Sequence, residues 1–254
     1  MTTFADLHRP GTPLVLPNAW DVISAAALVD AGFAAIGTTS LGVAAANGRP
    51  DAEGQTRTET VALVRRLASL PCLLTVDVEA GFGDPAGVAT EVAALGAVGI
   101  NIEDGLAPID ETVASIVAIK KAAPGLFVNA RTDTHWLSDV PDLSDTLRRL
   151  SAYREAGADG VFVPGLADPG DIRRVVTAID APLNVLALAG GQTVAELGAL
   201  GVARVSTGSL LFRAAVGATV ATARAVTRNE AGPTGLPPYA EIVRLVGERR
   251  SRGG

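Results

Sequence analysis

A chain of 254 residues, 48% of them hydrophobic, is long and apolar enough for one large α/β domain or two small ones. A formal net charge of −6 and a pI near 5.0 argue against nucleic acid or an anionic membrane as partner. The single cysteine excludes an internal disulfide framework, and the first residues, Met1-Thr2-Thr3-Phe4-Ala5-Asp6, carry neither a basic segment nor an apolar signal core, so a cytoplasmic protein is expected.

The first strand, about 14–18, is entered through Thr12-Pro13 and ends in Asn18-Ala19-Trp20-Asp21. A helical stretch then closes on Ala31-Gly32-Phe33, where glycine suits a helix C-cap, and leads into a strand at about 34–40. Thr60 to Leu67 reads as helix, and a third strand, about 72–79, follows Leu70-Pro71. The same punctuation recurs at Leu95-Gly96, Ala156-Gly157 and Leu200-Gly201, ahead of strands at about 99–104, 160–165 and 204–208. Strands at about 126–133 and 183–188 complete a set of eight.

These strands are continuous apolar runs rather than alternating ones, the pattern of strands covered on both faces. Eight β-then-α units over this length indicate a (β/α)8 TIM barrel over residues 1–228, with a doubly wound open sheet as the alternative. No run of about 18 apolar residues free of charge and turn signals is visible, so no transmembrane helix is expected. Beyond the barrel, Asn229 to Pro238 is rich in Gly and Pro and reads as an extended strap. A final amphipathic helix is predicted at about 239–249. Residues 229–254 either belong to the same domain or pack on a partner subunit, and a homodimer or homotetramer is expected. The cluster Arg249-Arg250-Ser251-Arg252 reads as a solvated helix end.

Chemistry concentrates at the C-terminal ends of the strands, where barrels of this type build their active sites. The third strand runs into Asp77-Val78-Glu79-Ala80-Gly81, and alternation along a strand puts Asp77 and Glu79 on one face, roughly 7 Å apart. Two such carboxylates repel each other unless a cation sits between them, and all-oxygen ligands suit a hard ion such as Mg2+. The fourth strand ends in Asn101, Glu103 and Asp104, and the fifth in Asn129, Arg131, Asp133 and His135. Arg131 reads either as a bidentate clamp for a substrate carboxylate or as the ion-pair partner of Asp133 or Glu103. Trp20 lines a pocket or merely packs, and His135, farther out, touches substrate or faces solvent. Thr38-Thr39-Ser40 ends its strand or holds an anion through its backbone N–H groups.

As a set, Pro17-Asn18-Ala19-Trp20-Asp21, Thr39-Ser40-Leu41-Gly42, Gly48-Arg49-Pro50-Asp51, Asp77 to Gly83, Gly99 to Gly105 and Asn129 to Asp133 resemble the isocitrate lyase/phosphoenolpyruvate mutase superfamily, in order from about residue 4 to 213. The resemblance implies a barrel, Mg2+ (or Mn2+), 2-oxo-acid or enolate chemistry, and a tetramer that exchanges its last barrel helix between subunits. By position it implies Asp77 as direct metal ligand, with Glu79 and Glu103 holding the ion largely through water. Thr39, Ser40 and Leu41 match the segment that grips the substrate anion, Arg131 the substrate-binding arginine, and Asp51 a loop beside the substrate with a catalytic part. Asn184, at the start of the seventh strand, joins the substrate-binding set.

The departures bear on mechanism. The Lys-Lys-Cys-Gly-His segment of the cleaving lyases is replaced by Asp104-Gly105-Leu106-Ala107-Pro108-Ile109-Asp110, and the mutases' Lys-Asn-Ser version is absent too. Cys72 cannot substitute, because it precedes Asp77 by five residues, roughly 16 Å toward the other end of the strand. Pro164 stands where the lyases carry Glu and the mutases His, and it cannot transfer protons. The leading expectation is a Mg2+-dependent lyase that takes a small 2-oxo or 2-hydroxy di- or tricarboxylate through an enolate, by C–C cleavage or decarboxylation. A phosphonopyruvate or oxaloacetate hydrolase, a phosphoenolpyruvate-type mutase, and a non-catalytic 2-oxo-acid binder are the alternatives.

Overall fold

The computed structural model describes residues 3–247. Its parallel strands are β1 (Leu14–Leu16), β2 (Asn18–Ala19), β3 (Ala35–Thr38), β4 (Leu73–Asp77), β5 (Gly99–Glu103), β6 (Phe127–Arg131), β7 (Gly160–Phe162), β8 (Leu183–Leu186) and β9 (Arg204–Ser206). β1 and β2 are one barrel strand interrupted at Pro17, which has no N–H for a ladder but still accepts from Gly37 N–H at 2.9 Å. β1 pairs with β9 and β2 with β3, so the sheet returns on itself as a (β/α)8 barrel and the open-sheet alternative falls.

The helices are α1 (Val22–Asp30), α2 (Ser40–Ala46), α3 (Arg57–Leu67), α4 (Pro85–Ala94), α5 (Ile109–Ala122), α6 (Leu143–Glu155), α7 (Pro169–Ala178), α8 (Val194–Ala199), α9 (Leu210–Thr227) and α10 (Tyr239–Gly247). Outward strand residues such as Ile36, Val76, Ile100 and Val128 are fully buried against them, which is why the strands read as apolar runs. Asp84 caps α4 by accepting from Gly87 N–H at 2.9 Å, which releases Asp77 and Glu79 from that duty. The bottom of the barrel is closed by an aromatic plug. Phe4 meets Phe127 edge-on, and His8 stacks on Phe127 with centroids 4.5 Å apart.

One expectation needs correction. β4 stops at Asp77 rather than at residue 79, because Glu79 adopts left-handed backbone at φ 49°, outside any strand. The C-terminal helix packs on its own α1, where Arg244 donates to both oxygens of Asp30 at 2.9 and 2.8 Å and Leu245 is buried. Within the one chain described, α10 thus rests on α1 of the same barrel, the first of the two placements expected for it. The Arg249–Arg252 cluster lies outside the described residues. It is α9 that projects: none of its 18 residues is buried, and its mean hydropathy of 1.2 would satisfy the length and composition of a membrane span. Arg213 and Arg224 interrupt it, and Phe212 at its start rests edge-on against Trp20 at 5.4 Å.

Candidate active site

The C-terminal rim of the barrel surrounds a cleft of about 90 Å³, room for a small molecule of several non-hydrogen atoms. Thr39, Ser40, Leu41, Asp51, Asp77 and Arg131 all line it, so six of the nine residues singled out in the sequence meet at one place. Asp77 sits on the floor, its backbone N–H fixed by Thr38 Oγ1 at 2.9 Å. Asp51 comes from the loop after α2, and its Oδ1 is buried without any protein partner. A buried carboxylate oxygen left this way is costly unless a cation or a donor from a ligand meets it.

Arg131 is the hub. Its Nη1 lies 2.5 Å from Glu103 Oε2, and its Nε and Nη2 lie 2.7 and 2.6 Å from Asp133 Oδ1. Both ion-pair partners anticipated for it are therefore present at once. The guanidinium also stands over the Phe162 ring at 5.9 Å. Asp133 is held in turn by Gly105 N–H at 3.2 Å. Asp104, below it, accepts from Arg149, Tyr153 and the Asp133 backbone. Asp104 thus braces the floor rather than lining the cleft.

Three acids, Glu103, Asp133 and Asp77, share this one arginine, and the ionisation of the site shows the imbalance. Burial pushes the Asp77 carboxyl up to about 6; Arg131 pulls the other way, and Asp51 and Glu79 add repulsion. Burial likewise pushes Glu103 up to about 8, against the pull of Arg131 and with help from Asp77, Asp133 and Asp51. Burial works against the Arg131 cation as well, yet Glu103, Asp133 and Asp77 together hold its pKa above the ordinary value. The cluster lacks positive charge, which a divalent cation would supply.

Which residues could hold one follows from the donors. Among the described residues no three His, Cys, Asp or Glu converge into a closed cage. Any Mg2+ held here would take one or two carboxylates and keep several waters. Asp77, with Asp51 beside it, fits direct ligation, and Glu103 fits a water-mediated place. Glu79 is differently engaged: its carboxylate accepts from Gly54 N–H at 2.8 Å and from Thr56 Oγ1. It ties down the loop that carries Asp51 instead of pointing beside Asp77.

Other expected residues fall outside the cleft. Asn184 lies one layer down, buried, accepting from Ser206 Oγ at 3.1 Å. His135 does not line the cleft, but the next residue, Trp136, does. Cys72 precedes β4 at the far end of the barrel, and burial pushes its thiol up to about 11. Trp136, Phe162, Asn101 and Arg213 line the cleft and were not in the expected set. Asn101 could have been found from its alternation with Glu103; Arg213 carried no sequence signal, because it lies on a helix whose neighbours are apolar.

This (β/α)8 barrel carries its carboxylate-rich cleft at the C-terminal rim, where barrel enzymes build their active sites. The family model for phosphoenolpyruvate phosphomutase matches residues 4–227, and the chain belongs to this family within the phosphoenolpyruvate mutase/isocitrate lyase superfamily. It is 49% identical over 250 residues to an uncharacterised protein of Mycobacterium tuberculosis, covering 96% of each chain. Over 189 residues it is 33% identical to 2-methylisocitrate lyase of Bacillus subtilis, covering 67% of this chain and 61% of that enzyme. A phosphonopyruvate hydrolase solved with oxalate and Mg2+ is 27% identical, with a TM-score of 0.82, covering 98% of this chain and 97% of the other.

Proposed function

We propose that this protein is a Mg2+-dependent lyase that takes a small 2-oxo or 2-hydroxy di- or tricarboxylate through an enolate, as a cytoplasmic homo-oligomer. The observation that carries the reading is the pairing of Asp77 with the partnerless, buried Asp51 Oδ1 at the floor of the cleft. When bound, Mg2+ acts as a Lewis acid on the 2-oxo acid and stabilises enolate charge. Asp77, with Asp51 beside it, would hold the ion, and Glu103 would reach it through water. Ser40 and Leu41, at the start of α2, offer backbone N–H groups free of intrahelical partners to the substrate carboxylate. Arg131 keeps positive charge beside it, and Trp136 and Phe162 restrict water.

Among the described residues the cleft lining has no His, Cys, Lys or Tyr, and Pro164 is part of it. This favours decarboxylation, in which the C–C bonding electrons pass into the enolate as CO2 leaves; release of a carbonyl product would also require Asp51 to take up the substrate hydroxyl proton. Water at the cleft mouth then returns the proton to carbon. Incubation with Mg2+ and a panel of 2-oxo acids, 2-methylisocitrate and phosphonopyruvate tests the reading: pyruvate or CO2 as product supports it. Phosphate from phosphonopyruvate would establish the hydrolase instead, with Asp51 or water as nucleophile. Tight Mg2+-dependent binding without turnover would establish a binding protein.

A further inference from the structure

Asn101 lies on β5 directly beside Asp77 on β4 in the register of the barrel, and its side chain lines the cleft. Its Oδ1 accepts two hydrogen bonds, from Asn129 Nδ2 at 2.9 Å and from Arg204 Nη2 at 3.2 Å. Two N–H donors converging on one atom identify that atom as the amide oxygen and fix the sense of the amide. The amide nitrogen must then point the opposite way. Among the described residues no protein acceptor meets Asn101 Nδ2, and the atom is not sealed off but opens on the cleft. A donor whose direction is fixed and which faces the cleft is placed to meet a ligand oxygen.

What holds the amide in this sense is unusual. Arg204 starts from β9, in register with Asn184 on the neighbouring β8, and is fully buried inside the barrel. No carboxylate bonds it, though the Asp77 charge nearby favours its cation; Nη2 bonds Asn101, while Nε and Nη1 have no hydrogen-bond partner in the protein. Burial lowers its pKa to about 9, which leaves it charged at neutral pH. Gly160 makes room on the other side: a Cβ there would stand 3.0 Å from Asn129 Oδ1 and would press on the amide that steadies Asn101. A buried cation without an acid partner is expensive to keep. Its one bonded contact here is the oxygen of a cleft residue.

We propose that Asn101 is a substrate-binding residue whose amide N–H donates to a ligand oxygen beside Asp77, and that Arg204 is the positioning residue that fixes its orientation from beneath. The inference rests on the proposed function for the identity of the ligand, a small oxyanion held with Mg2+.

Calorimetry with Mg2+ alone and then with oxalate plus Mg2+ tests it. Asn101→Ala is expected to bind Mg2+ like the wild type and oxalate about tenfold more weakly. Asn101→Asp, which keeps the size and loses the donor, is expected to lose at least as much. Arg204→Met is expected to weaken oxalate in the wild-type background and to add nothing in the Asn101→Ala background, since its effect passes through that amide. Arg204→Lys serves the same comparison if the methionine variant does not fold, and the Asn101 variants decide the ligand contact on their own. Equal oxalate affinity in wild type and Asn101→Ala would overturn the inference alone. The same loss from Arg204→Met in both backgrounds would reduce Arg204 to general support of the barrel. A wild-type protein that ignores oxalate in the presence of Mg2+ would overturn the proposed function and this inference with it.

Discussion

Arg131 and Glu103 meet at 2.5 Å, yet the Glu103 carboxyl is displaced toward its protonated form, to about 8. Burial accounts for most of this, and Asp77, Asp133 and Asp51 nearby account for much of the rest. The Arg131 cation is spread over three acids, Glu103, Asp133 and Asp77. Arg131 therefore serves the protein's own charge balance before it serves a ligand, and its fork, bonded on both edges, is a rigid wall of the cleft.

That rigidity makes Arg131→Lys informative. Lysine keeps the charge and cannot bridge Glu103 and Asp133 together. Oxalate affinity in the presence of Mg2+ is expected to fall by roughly 1–3 kcal/mol while the fold persists. Titration calorimetry on the two proteins checks this, and equal dissociation constants would limit Arg131 to an internal brace.

The raised carboxyls predict how metal binding depends on pH. Folding lifts Asp77 from 3.8 to about 6 and Glu103 from 4.5 to about 8, so the metal-free folded state binds more protons than the unfolded chain in those windows. Its stability is thus greatest below the unfolded values and declines as pH rises through the folded ones. Mg2+ binds the deprotonated forms, so its affinity should climb between about pH 5 and pH 8 and level off above. Thermal shifts caused by excess Mg2+ are expected to be larger at the upper end of this range, and Asp77→Ala should abolish them. A flat profile would mean that these carboxyls do not face the ion.

Glu79 shows how much of the site could be read from sequence and where reading stopped. The order of strands, their ends and the meeting of Asp51, Asp77 and Arg131 were legible, because parallel strands bury both faces and barrels gather their chemistry at one rim. The direction of Glu79 was not, since alternation holds only inside a strand and the residue turns at φ 49°. Arg204 was equally hidden: on a strand that reads as apolar, its guanidinium crosses the barrel interior to Asn101. Asn184 looked like a rim residue until the register set it level with Arg204, one layer down.

Glu79→Gln should act through the loop. The amide keeps an acceptor for Gly54 N–H but loses the charge that receives Thr56 Oγ1. We expect Mg2+ affinity to fall by about 1 kcal/mol, with faster cleavage near Gly54 in limited proteolysis. Abolished Mg2+ binding with an unchanged cleavage rate would instead make Glu79 a ligand of the ion.

His8 sets a separate acid limit. Burial in the aromatic plug, with the Arg204 charge nearby, lowers its pKa from 6.5 to about 4. Between those values the unfolded chain takes up a proton that the folded protein refuses, so stability is full above the upper value and is lost as pH falls toward the lower. The shift corresponds to about 3 kcal/mol at most. His8→Phe keeps a ring stacked on Phe127 and removes the titration. Denaturant melts should show the variant gaining on the wild type by up to that amount from pH 7 to pH 4. Parallel curves would place the acid sensitivity elsewhere.

The last prediction concerns α9. The helix buries none of its residues, and Val216 and Val220, one turn apart on the same face, are 48% and 45% exposed. An apolar stripe of this length left in water is unfavourable, and a second copy of the chain can cover it by a reciprocal exchange. α10 is not available for the task, because the Asp30–Arg244 pair and Leu245 hold it to α1 of its own barrel. The wild type is therefore expected to run as a dimer or tetramer in light scattering at micromolar concentration. Aspartate at both Val216 and Val220 should reduce the mass to that of one chain, since two buried charges in the interface face no partner. Asp30→Ala loosens α10 and should leave the mass unchanged. A wild-type monomer, or a doubly substituted protein of undiminished mass, would show that α9 is not the interface.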